Sequence, residues 1–348
     1  MWPILLAILF FGLIIAIHEL GHFATAKLFG VRVNEFAIGM GPTILKKKRG
    51  ETQYSLRLFP IGGFVQMEGE NEESEDERAF CKKKAWKRFI IVAAGAINNL
   101  ILGFIFVIII TSMADLVGTT QIHSFDKNAV SNSYGLQAGD YIREINGTNI
   151  YSDRDISYCM ARDDDGVYDI TVERDGEKLL LKNVHFAYEE NEDGKNLIIF
   201  DFILVGKQKT VFNVIGTAFR DTISIARLVW LTLFDLVTGH FGINDISGPV
   251  GTVSIIAQVA DEAAKPGGAG LEMILYVMAL ITVNIGVFNL LPIPALDGGR
   301  LFFILIEMIF RKPVPAKYEN WIHAAGLVLL LAFMAFITFN DIKNLIIK

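Results

Sequence analysis

Two histidines and a glutamate interrupt a long apolar run near the start of the chain, and this placement constrains the fold more than any other feature. The flank Ile4–Ile17 carries no charge, so a helix over it would be apolar enough to enter a bilayer. His18 and His22 lie four residues apart, which places both imidazoles on one helix face. With Glu19 between them, the pattern H-E-x-x-H is typical of a zinc-binding helix with a carboxylate acid/base. Ionisable groups are costly at this depth, and a shared Zn²⁺ offsets that cost, so the membrane setting favours a metal site over a chance match.

The composition indicates a membrane protein that carries a water-soluble insertion. Of 348 residues 52% are hydrophobic, and the mean hydropathy is +0.41. The N-terminus lacks the basic region and cleavage site of a signal peptide, so it is expected to be a first spanning helix. Four stretches can cross a hydrocarbon core of about 30 Å. They are roughly Pro3–Phe29, Phe89–Ala114, Leu271–Leu291 and Ile322–Phe339.

Charge predicts how these spans are oriented. Basic runs such as Lys46–Arg49 and Lys82–Lys84 follow the first span, and Arg311 and Lys312 precede the last, so these loops are expected in the cytoplasm. The segment Asp115–Asp201 holds 18 acidic and 8 basic residues, and it is expected outside. The basic loops fall in the cytoplasm and the acidic segment falls outside if the chain has four spans. Both termini are then extracytoplasmic.

The chain is predicted to divide into four segments. Residues 1–114 and 271–348 are the N-terminal and C-terminal membrane cores. Residues 115–205 are a β-rich α+β domain, with strands expected at Thr119–His123, Tyr141–Ile145, Tyr168–Glu173 and Lys178–Val184. Residues 206–270 are an amphipathic juxtamembrane segment: charges interrupt the apolar run Thr210–Gly239, which favours a helix on the outer membrane surface. Asn244–Gly251 is then a turn, and Asp261–Gly270 a polar loop.

The region after the first span is predicted to form a small β-hairpin or sheet. Tyr54–Leu58 and Gly63–Met67 have strand-like patterns, and nearby glycines punctuate them. Such a sheet at membrane depth needs protein cover for its backbone. A free edge near the zinc would suit an extended peptide, which adds to a sheet as another strand. A cytoplasmic hairpin with no such role is equally compatible with the sequence.

A third zinc ligand is predicted in the sequence NLLPIPALDGG. Asp297 is an acid at the end of an apolar stretch, and an unpaired acid at that depth needs a cation. Pro292 and Pro294 cannot continue a regular helix, so the backbone before Asp297 is expected to unwind. The amide of Asn289, on the approaching helix, could bond a substrate backbone or an oxyanion; a bond between helices is the alternative.

These motifs together resemble bacterial site-2 proteases, the intramembrane zinc metalloproteases of the RseP/RasP type. HELGH in the first span, NLLPIPALDGG in the third and a domain between spans two and three occur in that order. The sequence YGLQAGDYIREING at Tyr134–Gly147 resembles the core of a PDZ domain. The family's G-P-x-x-N pattern reads Gly95-Ala96-Ile97-Asn98-Asn99, with alanine in place of proline.

The resemblance implies a polytopic helical protein of the bacterial inner membrane, with one PDZ domain outside. It implies that His18, His22 and Asp297 bind zinc and that Glu19 is the catalytic acid/base. Asn289, Asn99 and Pro292 would contact substrate, and the loop with Gly39 and Gly41 would receive the substrate strand.

Substrates implied by the resemblance are single-span membrane proteins already trimmed by another protease, such as anti-sigma factors or signal-peptide remnants. The PDZ domain would exclude proteins with large outer domains. No nucleic-acid partner is expected. Two other classes of function remain open: a catalytically silent PDZ scaffold in the membrane, and a transporter of metal or solute.

Overall fold

The computed structural model describes residues 2–70, 72–162, 165–190, 196–239, 248–263 and 270–347. The chain forms two compact units, which we call the membrane unit (Met1–Phe106 with Gly242–Lys348) and the insert unit (Val107–Phe241). The helices are α1 (Trp2–Leu28), α2 (Ala85–Met113), α3 (Asp153–Arg162), α4 (Val211–Thr238), α5 (Pro249–Ala263), α6 (Gly270–Phe288), α7 (Asp297–Phe310) and α8 (Ala316–Ile347). The strands are β1 (Val33–Arg49), β2 (Thr52–Met67), β3 (Val117–Phe125), β4 (Tyr141–Ile145), β5 (Thr148–Asn149), β6 (Val167–Arg174), β7 (Glu177–His185), β8 (Tyr188–Glu190), β9 (Asn196–Ile198) and β10 (Phe202–Lys207).

Four of the described helices are long and apolar enough to cross a membrane, as the sequence predicts. The candidate spans are Leu5–Leu28, Ala85–Met113, Gly270–Phe288 and Lys317–Lys343. They differ in how much of each helix is covered by protein. In the most apolar 18-residue stretch of α2, 50% is buried, whereas in the corresponding stretch of α8 only 6% is buried. α2 is therefore the central helix of this set, and α8 is exposed along most of its length.

Small residues let the helices of the membrane unit approach closely. A Cβ at Gly21 of α1 would lie 2.4 Å from the carbonyl oxygen of Ala94 in α2. A Cβ at Gly103 of α2 would lie 2.4 Å from a methyl carbon of Val283 in α6. Any larger side chain at either glycine would push the helices apart, and small residues are the usual means of close packing between membrane helices.

The region between α1 and α2 is a larger sheet than the sequence predicts. β1 and β2 fold back on themselves, so Phe36 pairs with Val65 on one side and with Tyr54 on the other. From Thr43 onward, β1 pairs only with the first part of β2. The segment Gly63–Met67 is consequently an edge: in the described part of the chain it pairs with β1 alone.

These strands extend beyond the predicted short runs because the glycines do not end them. Gly39, Gly41 and Gly62 adopt φ of 86°, 85° and 87°. This conformation suits glycine and accommodates shifts of register within a continuing strand. The lysine run of β1 also conceals the alternation on which strand prediction depends.

The insert unit is built on a sheet with the strand order β10-β3-β4-β6-β7, and β5 pairs with β4. The four predicted strands are present. The side chains of Ile122, Ile142, Tyr168 and Ile170 are almost fully buried in its core. The helix α3 and the strands β5, β8, β9 and β10 were not predicted. Val117 pairs with Lys207, so the two ends of this β-domain lie side by side.

The predicted helix in Thr210–Gly239 is present as α4. Thr210 caps it by accepting a hydrogen bond from the backbone N–H of Asn213. One side of α4 binds α3 through charged groups: Asp235 accepts bonds from Tyr158 and Arg162, both at 2.7 Å. Its exposed apolar side chains include Phe212, Phe219, Trp230 and Phe234.

α5 is a difference between prediction and structure. Pro249–Gly251, predicted as the end of a turn, form its first turn, where a proline is well tolerated. Asp261–Ala263, predicted as loop, form its last residues. Residues 244–247 of the predicted turn and residues 264–269 of the predicted loop lie outside the described residues.

Candidate metal centre

Three side chains converge on one point in the membrane unit. Nε2 of His18 and Nε2 of His22 lie 3.0 and 3.1 Å from Oδ2 of Asp297, and the two nitrogens lie 3.1 Å from each other. Ligand atoms held about 2.0–2.1 Å from a tetrahedral zinc are separated by roughly 3.3 Å. The three donors therefore have the spacing and the chemistry to hold one Zn²⁺, and they form the candidate metal group in the described part of the chain.

The histidine ring of His22 is fixed in the tautomer that a metal ligand needs. Its Nδ1 lies 2.9 Å from the carbonyl oxygen of Ile91, so Nδ1–H donates there and Nε2 keeps its lone pair. The residue is 7% exposed. A hydrogen bond from the remote ring nitrogen to a carbonyl is the usual support of a metal-binding histidine.

Asn99 is placed where it could give His18 the corresponding support. Its side-chain amide lies 3.3 Å from Nδ1 of His18 with the nitrogen facing the ring. Its Oδ1 is buried and has no hydrogen-bond partner in the part of the chain that the structure describes. A half-turn of the amide exchanges its two ends, so that Oδ1 accepts a bond from Nδ1–H and Nε2 is free for a metal. The unsatisfied Oδ1 of Asn99 beside Nδ1 of His18 therefore fits a His18 whose Nε2 binds a metal.

Gly95 provides the space for both imidazoles. A Cβ at this position of α2 would lie 2.4 Å from Nε2 of His22 and 2.8 Å from Cε1 of His18. The two rings therefore pack directly against the α2 backbone.

Asp297 reaches the histidines because α6 and α7 are separated by an irregular loop, as the prolines predict. α6 ends at Phe288, so Asn289 lies just beyond it in a turn and not on the helix. Ala295 has φ of 76°, which is unfavourable for a residue with a Cβ. Its N–H donates to Nδ1 of His323 in α8 at 3.0 Å, and this bond stabilises the turn that ends at Asp297. A Cβ at Gly326, also in α8, would lie 2.2 Å from that of Pro294, so helix and loop are in close contact.

Glu19 and the edge of the sheet border the same cavity. The cavity has a volume of about 160 Å³ and is lined by the three candidate ligands, Glu19, Glu70, Arg300 and parts of the segment Gly63–Met67. Gly63 brings the sheet close, because a Cβ there would lie 3.0 Å from Cγ of Glu19. An extended chain paired with this edge would pass beside the candidate acid/base.

The remaining predicted substrate residues lie elsewhere. Gly39 and Gly41 flank Met40, which pairs with Phe59, and they do not line the described metal cavity. Pro292 and Asn289 belong to the loop before Asp297, and neither lines that cavity.

Sequence reasoning missed four residues of the site: Gly95, Glu70, Arg300 and His323. Each takes its place through a contact between distant segments. Only Gly95 carried a signal, since it begins the sequence that was matched to the G-P-x-x-N pattern.

Comparison with known proteins agrees with this geometry. The profile of peptidase family M50 matches residues 6–333. A protein of Clostridium perfringens named as a zinc metalloprotease is 38% identical over 97% of this chain and 98% of its own length. A similarly named protein of Clostridium acetobutylicum is 36% identical over 97% of both chains. The regulator of sigma-W protease RasP of Bacillus subtilis is 29% identical, again over 97% of both.

The chain belongs to peptidase family M50, the site-2 proteases. It is a zinc metalloprotease and a multi-pass protein of the inner membrane. Zn²⁺ held by three protein ligands leaves one position for water, lowers the pKa of that water to about 7 and polarises a carbonyl.

Proposed function

We propose that this protein cleaves single-span membrane proteins at bilayer depth, with His18, His22 and Asp297 as zinc ligands. The observation that carries the proposal is the convergence of two histidines on the apolar spanning helix α1 with Asp297 at the start of α7. They meet beside a sheet edge that, among the described residues, pairs with β1 alone. Glu19 takes a proton from the attacking water and delivers it to the leaving amide nitrogen.

The edge segment Gly63–Met67 holds the substrate. A helical substrate hides its carbonyls in hydrogen bonds, so it has to unwind before cleavage. Pairing with a strand edge replaces the bonds that unwinding breaks. Segments with low helix stability are therefore the preferred substrates.

The other predicted substrate residues take separate roles in this proposal. For Asn99 we propose that it orients His18, because its amide lies against that ring. Gly39 and Gly41 shape the bend of β1, the strand that pairs with the substrate-binding edge Gly63–Met67 of β2. Asn289 and Pro292 contact the substrate near the start of α7.

We further propose that the β-domain of the insert unit is a PDZ domain outside the cytoplasm, with both termini on that side. Its GLQAGD sequence and its β-strands with one short helix support this reading. It excludes substrates with bulky outer domains, so trimmed proteins are admitted. A relative is named a regulator of sigma-W protease, and by that similarity anti-sigma factors are a proposed substrate class beside signal-peptide remnants.

The test is metal-dependent cleavage of a single-span substrate by the purified protein in detergent. The substrate carries a glycine in its span, and a matched version carries leucine there. We expect cleavage of the glycine version, its loss with a chelator and its return with Zn²⁺. Zinc binding without cleavage of either version would favour a silent scaffold, and zinc flux into sealed vesicles would favour a transporter.

A further inference from the structure

A second cavity adjoins the metal cavity inside the membrane unit. It has a volume of about 490 Å³, and we call it the vestibule. It lies between the turn after β2, the start of α2, and α7 and α8. Apolar and polar groups both line it, and seven of its lining residues are charged: Glu70, Glu72, Glu73, Arg88, Arg300, Glu307 and Glu319.

One ion pair separates the two cavities. Glu70 and Arg300 line both the metal cavity and the vestibule, and no other described residue does. Nη1 of Arg300 donates a short hydrogen bond to Oε1 of Glu70. The side chains are 27% and 17% exposed, so solvent reaches the pair but does not surround it.

The vestibule is suited to hold water. Nδ1 of His323 accepts a hydrogen bond from the Ala295 N–H, so its Nε2 carries a hydrogen, and this buried donor has no hydrogen-bond partner among the described residues. His323 lines the vestibule. Ordered water fills polar cavities of this size when it finds two to four polar groups, and here it would satisfy the orphaned donor.

Peptide hydrolysis consumes one water molecule in each cycle, while the candidate ligands lie on helices with apolar outer surfaces. We propose that the Glu70–Arg300 ion pair is the gate through which water passes from the vestibule to the metal cavity. The inference rests on the chain being a zinc metalloprotease, but not on the identity of its substrate.

The position of the pair also connects it to both halves of the site. Oε2 of Glu70 accepts a bond from the N–H of Met67, the last residue of the substrate-binding edge, at 3.4 Å. Arg300 lies one helical turn after Asp297 on α7. A strand that pairs with the edge therefore acts on Glu70, so the gate responds to an occupied site.

The first experiment uses a cysteine that already lines the vestibule. Cys81 is exposed, whereas Cys159 is buried and its burial raises its thiol pKa to about 11, so a maleimide at neutral pH labels Cys81 alone. We expect labelling with a bulky maleimide to slow both substrate cleavage and zinc extraction by 1,10-phenanthroline. The C81A variant, treated identically, should show no change. Unchanged rates after full labelling of Cys81 would overturn the proposed route.

The second experiment opens the gate. E70Q replaces the carboxylate with an amide of the same shape, and R300Q replaces the guanidinium with a shorter neutral amide. In either variant phenanthroline should extract zinc roughly 10-fold faster, which corresponds to about 1.4 kcal/mol. The charge-exchanged variant E70R/R300E should extract more slowly than either single variant. R78Q is the control, since Arg78 pairs with Glu51 away from both cavities.

These experiments distinguish an ion pair that only holds α7 in place from one that controls the passage of water. If R300Q extracts faster but a labelled Cys81 does not slow it, the pair only holds α7 in place. If R300Q and E70Q extract zinc at the unmodified rate, the pair does not limit passage. Because extraction is measured without substrate, these outcomes are independent of the proposed cleavage activity.

Discussion

Gly95 of α2 lies so close to His22 of α1 that a Cβ would come within 2.4 Å of the ring nitrogen that faces Asp297. G95A should therefore displace His22 and lower zinc affinity by at least about 10-fold, since overpacking a tight contact costs about 1–3 kcal/mol. Zinc content after dialysis against a weak chelator measures the effect. G12A is the matched control, because a Cβ at Gly12 meets nothing within 4 Å. Equal zinc content in both variants would show that the α1–α2 contact is looser than described.

E19Q should retain zinc and lose turnover. The amide keeps the shape of Glu19 but cannot accept a proton, and general acid–base catalysis contributes about 10²–10⁴-fold. Cleavage rate and bound zinc are measured on the same preparation. Undiminished cleavage would remove Glu19 from the reaction.

D297A should lose zinc, because it leaves two histidines where three protein ligands are expected. D297N keeps a neutral oxygen at the same place and should retain more zinc than D297A, but less than the unmodified protein. The measurement is again zinc content after dialysis. If D297A holds zinc as firmly as the unmodified chain, another residue is the third ligand.

H323A should weaken zinc retention although His323 contacts no ligand. It removes the acceptor of the Ala295 N–H, and an orphaned buried donor costs about 1–3 kcal/mol. H323N places an oxygen near the lost Nδ1 and should restore much of the retention. A purely space-filling role predicts instead that H323L, which has no acceptor, rescues as well as H323N.

Replacing residues 117–207 with a short flexible linker should leave zinc binding intact. The ends of this β-domain are paired neighbours, so a short linker can bridge them. Cleavage of a trimmed substrate should persist, and cleavage of the same substrate with its outer domain attached should rise from near zero. The two substrates are compared with both enzymes in one membrane preparation. Loss of cleavage of the trimmed substrate, with zinc still bound, would make the domain a docking element.

The sequence predicts those parts of the site that depend on local spacing. His18 and His22 share a helix face because they are four residues apart, and the unwinding before Asp297 follows from its prolines. The four spans follow from hydropathy.

Contacts between distant segments were not predictable in this way. Gly95 begins a matched motif, but nothing in the local sequence shows that the two histidines of α1 pack against it, and His323 is a lone histidine in an apolar helix. The edge at Gly63–Met67 depends on β1 pairing on both sides, which no local pattern reveals. α5 was missed because Gly248, Pro249 and Gly251 at its start resemble a turn.

The exposed length of α8 has a practical consequence for the metal. This helix carries His323, which supports the turn before Asp297, yet nearly all of its most apolar window is left for lipid to cover. The surrounding acyl chains thus help to hold in place the helix that supports the turn before Asp297. Short-chain detergents replace those acyl chains poorly, so we expect them to release zinc while the other helices remain folded. Added phospholipid should preserve the bound zinc.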